Sequence, residues 1–280
     1  MFTTARARLI APLLVALAFL PVGCGHPSLF EQSRVVIGVK NDQPGTSEWD
    51  SYKRTGFDIR VAYHLAKEVG VADDRHVVFN DLASDDRVQA LEDGRVDLVI
   101  ATFSITPERM QKIDFAGPYA VTHQGFLIRK DSPPVNTVED LNGKTVCTWT
   151  GTTSIAALER YQVRTRVQGD AQTCIRDLEN RRVDAVSTDQ LILYGFAQQK
   201  EWLTVTGLTI GSPNFYGVGI GKKHRDDCRK LVRAIFDYVT SDDWHRDFAE
   251  TFEGLKDRWN DFRPKEQEIN SWSCRDKVAE

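Results

Sequence analysis

GRVDLVIATFSITPERMQKIDFAGPY, residues 94–119, carries the plan of the fold. Gly94 stands where a helix stops, the place glycine favours. DLVIAT, residues 97–102, is then a short apolar run, the mark of a buried strand. Thr106 follows as a helix N-cap, with Pro107 at the first helical position. The same order returns as NRRVDAVSTDQLI, residues 180–192, and both copies place a VD pair at the start of the strand.

Outward from these two stretches the alternation continues. Towards the N-terminus, residues 35–40 (VVIGVK) and 76–80 (HVVFN) read as strands. Residues 56–69 form an amphipathic helix with Phe57, Val61, Leu65 and Val69 spaced by four, and 84–93 read as a helix that opens on a Ser/Asp cap signal and stops at Gly94. A strand at 125–130 precedes the polar stretch DSPPVNT, and then the pattern restarts. Strands at 145–149, 165–168, 184–187 and 216–221 alternate with helices at 153–161, 170–180 and 189–198, and helices at 226–238 and 242–252 close the series. Repeated strand and helix argue for an α/β protein with mostly parallel sheets in two similar lobes. Ligands of such sheets bind beyond the carboxyl ends of strands. Residues 102–109 and 188–189, just after the two VD strands, are therefore the first places to look for a site.

The whole chain has 280 residues, which suggests two domains. Its formal charge of −4 and its 41% hydrophobic content fit a globular protein and argue against nucleic-acid binding, which needs surplus positive charge. No P-loop, dinucleotide fingerprint or nucleophile elbow is present. The six histidines are scattered and no His/Cys cluster has metal spacing, so neither a metal nor a cofactor is expected.

Residues 1–23 read as an export signal. Arg6 and Arg8 precede the apolar run LIAPLLVALAFL, which is too short to span a bilayer. Gly23 then Cys24 resembles a lipobox, with Pro21 where a Leu is usual. Cys24 is accordingly the expected lipidation site and new N-terminus, with residues 24–33 as a tether. The alternative is an ordinary cleaved signal. Export permits disulfides. Cys147, Cys174, Cys228 and Cys274 remain, and four cysteines allow three connectivities, among which spacing does not choose.

Taken together, GFDIRVAYHLAKEVG, GRVDLVIATFSITPER, DFAGPY, DLNGKTVCTWTGTTS, VDAVSTD and YGVGIGKK resemble the bacterial extracellular solute-binding proteins of family 3, the amino-acid receptors of ABC importers. They follow the family's order across nearly all of residues 35–252. The resemblance is nearest to actinobacterial glutamate/aspartate-binding lipoproteins. One departure is Arg60, where the family usually carries an acid. The resemblance implies a type II periplasmic-binding-protein-like fold of two lobes. Lobe 1 is expected from residues 34–119 and 217–262, lobe 2 from 124–212, and hinge strands at 120–123 and 213–216. Residues 263–280 form a tail tied to lobe 1. Cys147–Cys174 is the pairing seen in such receptors, and Cys228–Cys274 is expected beside it, pinning the tail.

The resemblance also implies a binding set. Arg109 matches the arginine that takes the ligand α-carboxylate, and its planar fork suits a bidentate pair. Thr102 and Ser104 match neighbouring contacts, Asp189 the acceptor for the ammonium, and Thr152 and Thr153 the loop that offers hydroxyl and N–H groups. Lys40, Ser84 and Arg87 fall where relatives bind a side-chain carboxylate, and Tyr216 is placed against ligand carbons. Each residue has a plainer alternative. Arg109 would pair with Glu108 or Asp114, Asp189 would cap the next helix, and Thr152 and Thr153 would cap a loop. Lys40 and Arg87 would be surface charges.

The expected function is capture of an acidic amino acid, glutamate or aspartate, and delivery to an ABC permease. The protein would be an exported monomer, lipid-anchored at the outer face of the cell membrane. Glutamine and asparagine remain open as ligands. One alternative is a sensor signalling through a membrane partner, and another is a dehydratase on the same fold.

Overall fold

The computed structural model describes residues 27–277, apart from residues 51 and 72. Cys24 and the export signal lie outside the described residues. The first half of the chain runs β1 (Val35–Val39), β2 (Asp42–Gln43), β3 (Ser47–Asp50), β4 (Lys53–Thr55), α1 (Phe57–Glu68), β5 (Val77–Asp81), α2 (Arg87–Glu92), β6 (Leu98–Val99), α3 (Pro107–Lys112) and β7 (Asp114–Arg129). The second half continues with β8 (Thr145–Trp149), α4 (Ser154–Leu158), β9 (Arg164–Gln168), α5 (Ala171–Glu179), β10 (Ala185–Asp189), α6 (Gln190–Gln199) and β11 (Leu203–Ile220). Helices α7 (Arg225–Thr240), α8 (Asp242–Thr251) and α9 (Glu266–Trp272) follow.

One eight-stranded sheet in the order β5-β1-β6-β11-β7-β10-β8-β9 joins the two lobes. β5, β1 and β6 are parallel in lobe 1, and β10, β8 and β9 are parallel in lobe 2. Between them β7 and β11 run antiparallel along most of their length and pass from one lobe to the other. The separate strands expected at 125–130 and 216–221 are thus the far ends of two long ones. Asn214, Phe215 and Tyr216 pair with Thr122, Val121 and Ala120 at the waist, with register breaks on either side. Such breaks loosen a ladder locally and let it bend.

Local chemistry accounts for the helices that carry the site. Phe57, Val61 and Leu65 form the buried face of α1, and Phe57 packs edge-on against Trp244 and Phe248 of α8. Thr106 caps α3 by accepting from the Arg109 N–H, with Pro107 at the first turn. Asp170 caps α5 by accepting from the Thr173 N–H at 2.8 Å. α2 begins at Arg87, later than the Ser/Asp cap signal suggests, because residues 84–86 form a turn.

Two disulfides close, Cys147–Cys174 between β8 and α5, and Cys228–Cys274 between α7 and the tail. The tail is more ordered than its polar sequence suggests. α9 buries Ile269, and the Ser273 hydroxyl donates to the Gly117 carbonyl and accepts from its N–H. Residues 28–31 correct the expectation of a free tether. Leu29–Glu31 is a 3-10 turn with Leu29 and Phe30 buried on lobe 1. Two apolar side chains in a polar segment supply the reason it docks. No helix among the described residues is long and apolar enough to cross a membrane.

Candidate functional site: a charged crevice between the lobes

The crevice is walled by Gln43, Ser84, Arg87, Thr102, Ser104 and Arg109 of lobe 1. Thr152, Thr153, Thr188, Asp189 and Ile192 of lobe 2 face them. The void they enclose is only about 10 Å³, room for a water and not for a small organic solute. The lobes must therefore part to admit one. Larger hollows of about 750 and 420 Å³ share none of these lining residues.

Arg109 stands on α3, whose cap fixes where its side chain starts. Its Nη1 donates to the Ser104 carbonyl at 2.6 Å and its Nη2 crosses the crevice to the Gly151 carbonyl at 2.9 Å. It forms no ion pair with Glu108, and Asp114 belongs instead to Arg225 at 2.7 Å. Arg87 is 3% exposed. Its Nε donates to the Ser84 carbonyl, its Nη1 to those of Ala101 and Thr102, and its Nη2 to Gly151 at 3.0 Å. Two guanidiniums thus share one lobe-2 carbonyl. Both also lie over the Phe103 ring, at 4.6 Å for Arg87 and 4.9 Å for Arg109. Burial pulls Arg87 down to about 9 and Arg109 to about 10, because neither charge is fully compensated.

Asp189 sits at the N-cap position of α6 but makes no capping bond. Its carboxylate turns to the crevice instead and accepts from Asn214 Nδ2 and the Tyr216 hydroxyl, both at 2.7 Å. Burial raises it to about 6, against the pull of those two donors. Thr153 likewise occupies the N-cap position of α4 with no capping bond, and Thr152 Oγ1 donates to the Trp149 carbonyl at 2.8 Å.

Eight of the ten residues singled out in the sequence line the crevice; Lys40 and Tyr216 do not. Lys40 Nζ donates to the Leu82 carbonyl at 3.0 Å and pairs with Asp42 at 3.4 Å. Tyr216 is buried, and its hydroxyl donates to Asp189. Asp42 also reaches lobe 2, where it accepts from the Ala171 N–H at the start of α5.

Several participants escape sequence reasoning. Asp58 is fully buried, and accepts from the Thr102 N–H at 2.8 Å and the Tyr119 hydroxyl at 2.7 Å. It holds Thr102 in a positive-φ conformation (45°) that a β-branched residue rarely adopts. The GFD motif was the available signal, although motif order does not say what the Asp grips. Gln43 accepts from Thr102 Oγ1 at 2.9 Å. Asp58→Ala would strand two buried donors, each costing about 1–3 kcal/mol, partly offset by the removal of a poorly solvated carboxylate. A net loss of about 1–3 kcal/mol in urea unfolding is expected. An unchanged midpoint would mean that the Thr102 turn does not depend on Asp58.

A continuous sheet crossed by two long strands, with a polar crevice closing between two α/β lobes, defines a two-lobed binding protein of the type II periplasmic class. Residues 35–260 match the bacterial extracellular solute-binding proteins, family 3. The chain belongs to that family. It is 32% identical over 241 residues to the glutamate-binding protein GluB of Corynebacterium efficiens, covering 79% of this chain and 81% of that one. A glutamine-binding protein of Geobacillus stearothermophilus is 31% identical over 210 residues, covering 72% and 78%. An ancestral arginine-binding protein solved with arginine superposes with a TM-score of 0.70 at 26% identity, covering 79% of this chain and 98% of the other.

Proposed function

We propose that the protein is a lipid-anchored extracytoplasmic receptor that captures glutamate or aspartate and delivers it to a membrane ABC permease. The observation that carries the acidic specificity is the pair of buried guanidiniums, Arg87 and Arg109, sharing the neutral Gly151 carbonyl. Lys40 is matched by Asp42. The wall therefore presents two cations against one anion, Asp189. An α-amino acid uses Arg109 for its carboxylate and Asp189 for its ammonium, which leaves Arg87 for a second carboxylate. A dicarboxylic ligand neutralises the site, whereas glutamine leaves a buried cation unpaired, which is costly. GluB is named for glutamate, which supports the same reading.

Calorimetry against the amino acids tests this. Glutamate or aspartate should bind more tightly than glutamine, and tight glutamine or arginine binding with glutamate silent overturns the reading. Arg87→Gln should weaken glutamate by roughly 10–100-fold, the cost of about 1.4–3 kcal/mol for a lost charged hydrogen bond, and leave glutamine nearly unchanged.

A pH series supplies an independent check. Free carboxyls titrate near 3.9, whereas burial holds Asp189 at about 6 and Asp58 at about 7. Between these limits the two carboxyls bind more protons in the folded protein than in the unfolded chain, so they contribute stability to the ligand-free protein that grows as pH falls from about 7 to about 4, opposed by His64, which burial holds below its ordinary value. The ammonium needs ionised Asp189, so glutamate affinity falls as pH drops through about 6. Thermal unfolding with and without glutamate should show both trends, moving in opposite directions. A glutamate-dependent stabilisation that stays constant from pH 7.5 to pH 5 contradicts the role of Asp189.

A further inference from the structure

Residues 42–45 of lobe 1 are held from two sides by lobe 2. The Asp42 carboxylate accepts from the Ala171 N–H at 3.2 Å, and the Asp42 backbone carbonyl accepts from Gln172 Nε2 at 3.0 Å. Both donors stand at the start of α5. On the other side, Gly195 in the middle of α6 meets the backbone of Pro44, and both residues are buried. One turn further along α6, Gln199 Nε2 donates to Glu48 at 2.8 Å.

Helix chemistry explains both grips. The first N–H of a helix has no acceptor within the helix and favours an anion. For α5 that anion comes from the opposite lobe, because the Asp170 cap serves Thr173 and leaves Ala171 to Asp42. Glycine weakens a helix interior. At position 195 it leaves the room that lobe 1 fills, since a Cβ there would overlap the Pro44 carbonyl oxygen. Neither Asp42 nor Gly195 lines the crevice, but Gln43 and Ile192 do. Gln43 lies between Asp42 and Pro44 on one ribbon, and Ile192 shares α6 with Gly195. Parting the walls to admit a solute therefore draws Asp42 from α5 and Pro44 from Gly195.

We propose that residues 42–45 are a clasp that lobe 2 grips on closure, and that Asp42 and Gly195 are positioning residues that set how slowly a captured ligand is released. The proposal rests on the reading of the crevice as a glutamate site. The ligand enters while the lobes are apart, so the clasp acts on departure and not on arrival. The guanidiniums choose the ligand, and the clasp sets its residence time.

The test uses the full chain, with L-glutamate as probe. Gly195→Ala adds one methyl group outside the crevice wall. Stopped-flow displacement should show glutamate leaving the variant at least about tenfold faster, with the association rate within about twofold of the parent. Its ligand-free urea midpoint should equal or exceed the parent's, because alanine is the better helix former and the open lobes do not meet at this point. An unchanged release rate overturns the proposal. A lowered ligand-free midpoint also overturns it, since the Pro44 contact is then permanent packing. Hydrogen exchange reads the other grip. In the parent, saturating glutamate should slow exchange of the Ala171 amide at least about tenfold, and Gly195→Ala should lose most of that protection. An Ala171 amide indifferent to ligand overturns the role of Asp42. A parent that does not bind glutamate overturns the acidic reading instead, and the same measurements then use the amino acid that most raises its melting temperature.

Discussion

Arg109→Ala is expected to abolish most glutamate binding. The side chain stands on the capped helix α3, and it reaches both lobes through Ser104 and Gly151. Its removal leaves the ligand carboxylate buried in the closed crevice without a charged partner. Breaking a buried pair from one side costs about 3–5 kcal/mol, or roughly a hundred- to several-thousand-fold in affinity. Arg109→Lys should recover only part of this, because an ammonium does not reproduce the fork that grips two acceptors. Calorimetry reads the loss, and thermal unfolding without ligand controls for folding. Affinity within tenfold of the parent would remove Arg109 from the carboxylate site.

Gly151→Ala is the second large effect, and it acts on closure. Gly151 adopts φ +72°, and a Cβ there would stand 2.2 Å from the Asp85 nitrogen and 2.4 Å from the Ser84 carbonyl carbon. Both are backbone atoms of the opposite lobe, so no side chain can swing aside. The lobes must stay further apart, and the shared carbonyl is withdrawn from Arg87 and Arg109. Strain and overpacking together cost about 2–5 kcal/mol. The variant should bind glutamate at least thirtyfold more weakly, by the conversion of about 1.4 kcal/mol per decade. Small-angle scattering should show the parent compacting on glutamate and the variant failing to do so. Full compaction in the variant would mean that this contact does not limit closure.

Much of the architecture is legible because the buried strands are short and apolar and because α3 and α5 begin on Thr106 and Asp170 caps. The VD repeat points to the two strand mouths, and Arg109 and Asp189 stand there. What escapes does so for physical reasons. β7 contains Gly117–Pro118 and β11 contains Gly207, Gly211 and Pro213, residues that argue against a strand interior, so two long strands read as fragments. The β2–β4 sheet is polar and lacks alternation. Gln43 and Asn214 carry no local motif, and the TGTTS motif does not say what Gly151 meets, since their importance arises only when distant segments come together. Lys40 lies beside the right strand end, and its ion pair with Asp42, two residues on, is likewise visible only in the folded chain.

The central sheet also fixes an order of assembly. In lobe 2, β8 and β9 are joined by one short helix and find each other early. In lobe 1, Leu98 must wait for Ile220 and Val99 for Gly219. Long-range pairing of this kind is slow, because the loop entropy must be met before the contacts form. The Ser28 hydroxyl waits for Asp227 in the same way. All the strands and helices of lobe 2 thus precede, along the chain, the segments that complete lobe 1 and seat residues 28–30.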